Sequence, residues 1–429
     1  MVILPDGYTK DEFAKFRNDI DSVILKSFFN RTPFKEYANY FNVFALKVPS
    51  NQSGASHPGH SSDNDCGDQP VQVVDNYFGS SFDCGGGSYH RLLCADHYKV
   101  QQTLVNNFNA YDLCLLLVNT PYYGGSGGEI AVSSLDSYAP EVAIHEEGHS
   151  FGGLSDEYWA GSQYAHENIN MTAVSDTNTV KWKNWLNYKG VGIYPHSEDT
   201  TWFRPHQECQ MRLLNREFCS VCTEAIIEKI HALTSSIYDY SPNNNDNVNI
   251  NSETIKFTLT LIKPEPNTLS FKWILDDKPL ENNGDTLLVK SELLSVGDHH
   301  LSVFILDTSE MVRTRTHKRD HIYEVRWTLR KTATSVDINS ETKHRAISIY
   351  PNPVDNILKI DLDGASKSSL IIDIYDTEGK RVANLLSDAS ENAISNYEFN
   401  LAELNLPAGA YIIKANIDGY IITRNIVKI

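Results

Sequence analysis

Basic residues are scarce in this chain: 37 lysines and arginines face 55 aspartates and glutamates, a formal net charge of −18 over 429 residues. Nucleic acids and anionic membrane surfaces are bound by clustered positive charge that displaces counterions, so both are excluded as partners. Long apolar runs are missing too. The greasiest stretch, Leu113 to Val118, has the length of a strand, far below the roughly 20 residues of a membrane-spanning helix. Cysteine is sparse. Cys66, Cys84, Cys94, Cys114, Cys209, Cys219 and Cys222 are too few for a disulfide scaffold and suit a large secreted domain with about two or three bridges. The odd count leaves a thiol free, and Cys114, inside the apolar run YDLCLLLVN, is the one expected to be buried and unpaired. No glycine-rich phosphate loop, dinucleotide fingerprint or nucleophile elbow occurs. The opening MVILPDGY has neither a charged n-region nor a long apolar h-region, so no signal peptide is visible.

What is present supports several folded cores: 41% of residues are hydrophobic and 10% aromatic, over a length that implies about two to four domains. Residues 1–238 mix the two periodicities. VILPDGY reads as a strand and turn, followed by Phe13, Phe16, Ile20, Val23, Ile24 and Phe28 at helical spacing. NVFALKVPS and YDLCLLLVNT read as buried strands, and Ser50 to Asp68 as a long polar loop. This alternation predicts an α/β or α+β domain. The stretch SIYDYSPNNNDNVNINSE breaks all periodicity and is expected to be a linker. Residues 250–332 then give short alternating strands, with Trp273 inside one, the pattern of an immunoglobulin-like β-sandwich. Residues 346–429 repeat the all-β pattern. The expected architecture is thus multidomain: one mixed α/β domain followed by two small β-sandwiches.

The chemistry lies in APEVAIHEEGHSFGGLSDEYW. His145 and His149 are four apart, so on a helix both imidazoles reach one metal ion from the same face, with Glu146 beside them. This H-E-x-x-H arrangement pairs two zinc ligands with a carboxylate that accepts a proton from a metal-activated water. Gly152 and Gly153 form a helix stop that lets the chain turn back and deliver a carboxylate to the same metal. The candidates, in order, are Asp156, Glu157 and Glu167. Two histidines, a carboxylate and an open fourth position make a catalytic rather than a structural site.

HEEGHSFGGLSDEYW resembles the active-site signature of the bacterial IgA-peptidase family of zinc metalloendopeptidases. VILPDGYT, FFNRTPFKEYANYFNVFAL, HRLLC and ECQMRLLNREFCSVC also resemble that family, so the similarity spans roughly residues 1–230. The resemblance implies a metzincin-like zincin fold, zinc as cofactor and protein substrates, with immunoglobulin A or other glycoproteins among them. The related pattern H-E-x-G-H-x-x-G-L-P-D-x-Y carries an aspartate third ligand and a following tyrosine. Leu154, Asp156 and Tyr158 stand in those places, with one extra glycine before the leucine. Cys209-Gln210-Met211-Arg212 is similar to the Met-turn of such folds, which places Met211 beneath the metal; from residue type alone it is equally a core methionine. SIYPNPVDNILKIDL, IDIYDTEGKRV and LNLPAGAYIIKANIDGYIITRNIVKI resemble the C-terminal sorting domain of type IX secretion. That implies export through both membranes by the type IX machinery to the cell surface or medium, and hence a native precursor that begins upstream of Met1.

Other features carry less. Gly128, Glu129, Ile130 and Ala131 follow a glycine-rich loop and are the expected sheet edge on which a substrate adds as a strand, with Tyr158 as an oxyanion donor. A plain hairpin connection is the alternative. Cys219-x-x-Cys222 is expected to join a disulfide involving Cys209. Asp63, Asp65 and Asp68 form a weak calcium candidate, and His57 and His60 read as solvated. Two rivals to the peptidase stand: a non-catalytic surface binding protein on a peptidase scaffold, and a metal-dependent enzyme acting on glycans.

Overall fold

Apolar side chains alternate about the first sheet. VILPD forms strand β1 (Val2–Asp6) and YDLCLLLVN contains β3 (Cys114–Val118), both buried along their whole length. Ile3, Leu115 and Leu117 face one core, while Val2, Leu4, Leu116 and Val118 face another on the opposite side. A strand covered on both faces needs no polar side, hence the unbroken apolar runs. The remaining strands are β2 (Phe44–Ala45), β4 (Gly125–Ser126) and β5 (Ala131–Ser133), in the order β2-β1-β3-β5-β4. All pairings are parallel except β4 against β5. NVFALKVPS is not a buried strand: only Phe44 and Ala45 pair, at an exposed edge.

Helices cover the sheet. The computed structural model, which describes residues 1–60, 69–84, 89–251, 254–332, 347–362, 370–387, 396–417 and 420–429, places α1 (Phe13–Asp19) and α2 (Lys26–Phe28) after the first turn. Phe16, Ile20 and Phe28 enter the first core, as their spacing predicts. Helix α3 (His97–Asn107), capped by the Asp96 carboxylate on the Lys99 amide, sends Val100 and Leu104 into the second core. Helix α4 (Ala139–Ser150) begins with Pro140 in its first turn, where the missing N–H costs nothing, and α5 (Ser220–Leu233) lies in the same core. Between them a short hairpin pairs β6 (Tyr194–Pro195) with β7 (Phe203–Arg204).

The predicted linker holds a strand. Ile237–Ser241 is β8, paired with β10 (Thr254–Leu261), because Ile237 and Tyr240 have an apolar cluster to cover. With β13 (Thr286–Lys290) they form a three-stranded sheet packed on a five-stranded one. The second sheet comprises β9 (Val248–Asn249), β11 (Leu269–Leu275), β12 (Lys278–Pro279), β14 (Gly297–Asp307) and β15 (Tyr323–Lys331). Trp273 and Trp327 stack at 5.9 Å between ring centroids in the shared core.

This sandwich belongs to the same compact unit, Met1–Ala333, as the first sheet. Asp307, 2% exposed, is the knot between them: Tyr37 and Thr268 hydroxyls donate to it, and His231 of α5 lies 3.0 Å away. The Glu224 carboxylate of α5 accepts from the Thr314 amide, and Arg313 lies over the Trp185 and Tyr188 rings.

The second unit, Thr334–Ile429, is described by itself. Strands β16 (Ile347–Tyr350), β17 (Ile357–Leu362) and β20 (Asn396–Asn400) form one sheet. Strands β18 (Leu370–Tyr375), β19 (Arg381–Leu386), β21 (Gly409–Ile417) and β22 (Tyr420–Lys428) form the other, around a common core. The Pro351-Asn352-Pro353 turn ties into the final strand, where Asn352 accepts from the Val427 amide at 2.8 Å. The turn at Asp376 to Gly379 closes the β18–β19 hairpin, its Gly379 amide donating to Asp376.

Candidate metal centre and active site

Helix α4 is positioned by its ends. The Ser133 hydroxyl of β5 donates to the Ala139 carbonyl, so the helix starts against the sheet, and Val142, Ala143 and Ile144 bury its inner face. At the other end the Gly153 amide donates to the His149 carbonyl and the Leu154 amide to Gly148. Gly153 has φ +62°, the left-handed conformation that stops a helix and reverses the chain. The reversed segment returns Asp156 to the helix face carrying both histidines.

His145 Nε2 lies 3.2 Å from His149 Nε2, and Asp156 Oδ1 lies 3.1 Å from the first and 3.3 Å from the second. A tetrahedral ion with bonds of about 2.0–2.1 Å would hold its ligand atoms about 3.3 Å apart, so this triangle fits one metal ion. The outer ring nitrogens are committed elsewhere. His145 Nδ1–H donates to the Gln210 carbonyl at 3.0 Å, and His149 Nδ1–H donates to Leu154 at 2.7 Å. Such bonds fix the tautomer and leave each Nε2 lone pair for a metal. Burial disfavours charge on His149, but Asp156 beside it pushes the imidazole up to about 9. Burial also opposes charge on Asp156, yet the two histidines hold its carboxyl well below the usual carboxylate range.

Glu146 sits beside the triangle, and burial pushes its carboxyl up. Gly127 passes directly over it: a Cβ there would collide with Glu146 Oε2 and lie 3.2 Å from His149 Cδ2. The Arg91 charge reaches both Glu146 and Tyr158. The Tyr158 ring stacks against His145 at 6.3 Å, and burial together with the Asp156 charge pushes its hydroxyl up. Glu147, the other glutamate of the motif, faces the core, where burial raises it to about 8 and Ser150 donates to it.

The alternative third ligands point elsewhere. Glu157 faces Cys209, Cys219 and Cys222, and Glu167 pairs with Lys181 and Thr172. Met211 is fully buried, its Sδ filling the space beside Gly148 on α4. The substrate edge predicted at Gly128–Ala131 is a correction. Gly128 and Glu129 are exposed, but Ile130 is buried and Ala131 lies in β5, which takes the sheet position between β3 and β4 and is paired on both sides. The last strand is β4, and its Gly125 is bridged further to Leu92.

The cysteines also differ from expectation. Cys84 and Cys94 form a disulfide; Cys114 is buried and free, as predicted; Cys209, Cys219 and Cys222 are free rather than bridged. His57 is buried against Asp83 and His90, whereas His60 is exposed. Cys66 and the calcium candidate at Asp63, Asp65 and Asp68 lie outside the described residues. Gln210, Gly127 and Arg91 join the site without any motif that marks them in the sequence. Their roles come from backbone position and long-range packing, which leave no spacing signal.

A mixed sheet is backed by a helix that presents two histidines and a glutamate, and the following turn returns an aspartate; these donor atoms form a group that could hold a metal ion. Residues 1–191 match the family model for IgA Peptidase M64, and residues 348–429 match that of the secretion system C-terminal sorting domain. The resemblance read over 1–230 is thus matched to residue 191, with Met211 and the three cysteines beyond it. No curated protein matches the chain. Solved structures similar to parts of it include dimeric latent PorU from Porphyromonas gingivalis, 12% identical over 45% of this chain and 20% of that one, with a TM-score of 0.19. SGBP-B of the Bacteroides ovatus mixed-linkage glucan utilization locus, in complex with a mixed-linkage heptasaccharide, is 14% identical over 44% of this chain and 47% of that one, at 0.18. The fibronectin(III)-like modules of Clostridium thermocellum CbhA are 13% identical over 44% and 90%, at 0.16. The chain thus spans a fifth of PorU and about half of SGBP-B, and these TM-scores carry no argument. Among the described residues no helix is long and apolar enough to cross a membrane.

Proposed function

We propose that the protein is a zinc-dependent endopeptidase of metzincin-like type, exported by type IX secretion to the cell surface or medium. The observation that carries this is the triangle of His145, His149 and Asp156 donor atoms, 3.1–3.3 Å apart, with Glu146 beside it. His145, His149 and Asp156 would hold the zinc, whose Lewis acidity would polarise a scissile carbonyl and lower the pKa of a water molecule toward neutrality. Glu146 takes the proton of the attacking water and delivers it to the leaving amide nitrogen; its raised proton affinity suits a group that must both hold and release it. The Tyr158 hydroxyl donates to the oxygen on which negative charge develops. Met211 supports the zinc helix from below, against Gly148.

The substrates are proteins, and the family description makes immunoglobulin A the first to assay. The sorting domain supports export, with the tail removed or used for surface attachment. The test is Glu146→Gln in the full chain, assayed on an unstructured protein and on immunoglobulin A with and without chelator. Zinc content should stay near wild type while hydrolysis falls by about 10² to 10⁴-fold. Hydrolysis that survives the substitution removes Glu146 from its role. Metal-free protein without peptidase activity would favour the surface-binding alternative.

A further inference from the structure

Behind the histidine triangle, Cys209, Cys219, Cys222 and Glu157 converge from three parts of the chain. All four are buried, Cys209, Cys222 and Glu157 completely. Cys222 Sγ lies 3.7 Å from Cys209 Sγ and 3.6 Å from Cys219 Sγ. Glu157 Oε1 lies 3.1 Å from Cys222 Sγ and 3.9 Å from Cys219 Sγ. A disulfide requires sulfurs about 2.05 Å apart. Four donors around one ion with metal–sulfur bonds of about 2.3 Å place neighbouring sulfurs about 3.75 Å apart, and a carboxylate oxygen about 3.5 Å from each sulfur. These four spacings lie close to a tetrahedron's edges, and all four donor atoms lie within 4.8 Å of one another.

The surroundings fit the same chemistry. Glu157 Oε2 is buried and has no hydrogen-bond partner among the described residues, and Oε1 receives one firm donor, Asn170 Nδ2 at 3.2 Å. A buried carboxylate among thiols is costly unless a cation neutralises it. The Cys219 amide donates to Cys209 Sγ at 3.3 Å, as amides do to thiolates held on a metal. Cys219 caps α5 and Cys222 lies in its first turn, so the Cys-x-x-Cys pair needs no rearrangement.

We propose that Glu157, Cys209, Cys219 and Cys222 bind a second divalent ion, of the thiolate-preferring kind that zinc exemplifies. The set is closed, with four protein donors and no open position, so the ion is structural. It fastens the chain around the first site. The Glu157 amide donates to the Met211 carbonyl at 2.7 Å, and Gln210, between Cys209 and Met211, supplies the carbonyl that orients His145.

The full chain is tested by metal analysis, with His149→Ala and Cys222→Ser beside the native protein. One equivalent should vanish in each variant, and the equivalent left in His149→Ala should be the thiolate-bound one. Cobalt substitution of the native chain reads the site without a mutation, since cobalt on thiolates gives an intense near-ultraviolet charge-transfer band. That band persists in His149→Ala even if the peptidase reading fails. Absence of the band in cobalt-loaded native protein overturns the site. So does unchanged metal content in Cys222→Ser, or peptide mapping that finds a disulfide among the three cysteines.

Discussion

Gly127 carries no reactive group, yet its lack of a side chain lets the loop cross the helix at Glu146. Gly127→Ala should therefore lower hydrolysis by about 10²-fold, through a carboxylate displaced by a fraction of an ångström, with metal content unchanged. Parallel zinc analysis and peptidase assay check this; equal loss of both would instead point to collapse of the metal site. At this scale the sequence was unevenly legible. His145, Glu146 and His149 could be read because a helix turns four-residue spacing into one face. Asp156 and Glu157 were adjacent candidates for a single role, and only the path of the chain after Gly153 sends them to different clusters. The Cys219-x-x-Cys222 spacing suggests a disulfide involving Cys209, because spacing cannot distinguish sulfurs in a bond from sulfurs 3.6–3.7 Å apart.

Helix α5 and strand β14 show how the elements are held. Asp307, at the end of β14, takes hydrogen bonds from Tyr37 and Thr268 and sits against His231; Asp307, Tyr37 and His231 are buried and Thr268 is half-buried. Asp307→Ala would leave the buried Tyr37 hydroxyl and His231 Nε2 without this acceptor, at a cost of about 3 kcal/mol in urea unfolding of the full chain. A loss well below 1 kcal/mol would show that the sandwich and the sheet are joined elsewhere. The predicted linker misled for the same reason. The Asn- and Asp-rich run after Pro242 does break periodicity, but Ile237–Ser241 pairs with β10 and the sandwich is docked on α5, a tertiary fact absent from local sequence.

Across the first unit, this docking is built from titrating groups, so it depends on pH. Burial opposes charge on Asp307 and Glu228, yet hydrogen bonds from His231 and from His317 hold them at about 2. A carboxyl depressed on folding adds stability above its unfolded value and loses it as pH falls through the folded one. For this pair that window runs from about pH 4.5 down to about 2. Burial disfavours charge on His317, but Glu228 raises it, so its share is complete below about pH 6.5 and fades as pH rises through the elevated value. Thermal melting should be most favourable between about pH 4.5 and 6.5, and Glu228→Gln should flatten both limbs. An unaltered profile in that variant would separate the docking from this pair. At the opposite side of α5, Asp156 and Glu157 are joined by one peptide unit, with one carboxylate turned to two histidines and the other to three sulfurs. Freedom lost when either carboxylate is fixed is lost for both. Reciprocity then requires that the factor by which one occupied cluster raises the other's affinity be returned in full. Chelator titrations would record ions that depart cooperatively, not in independent steps.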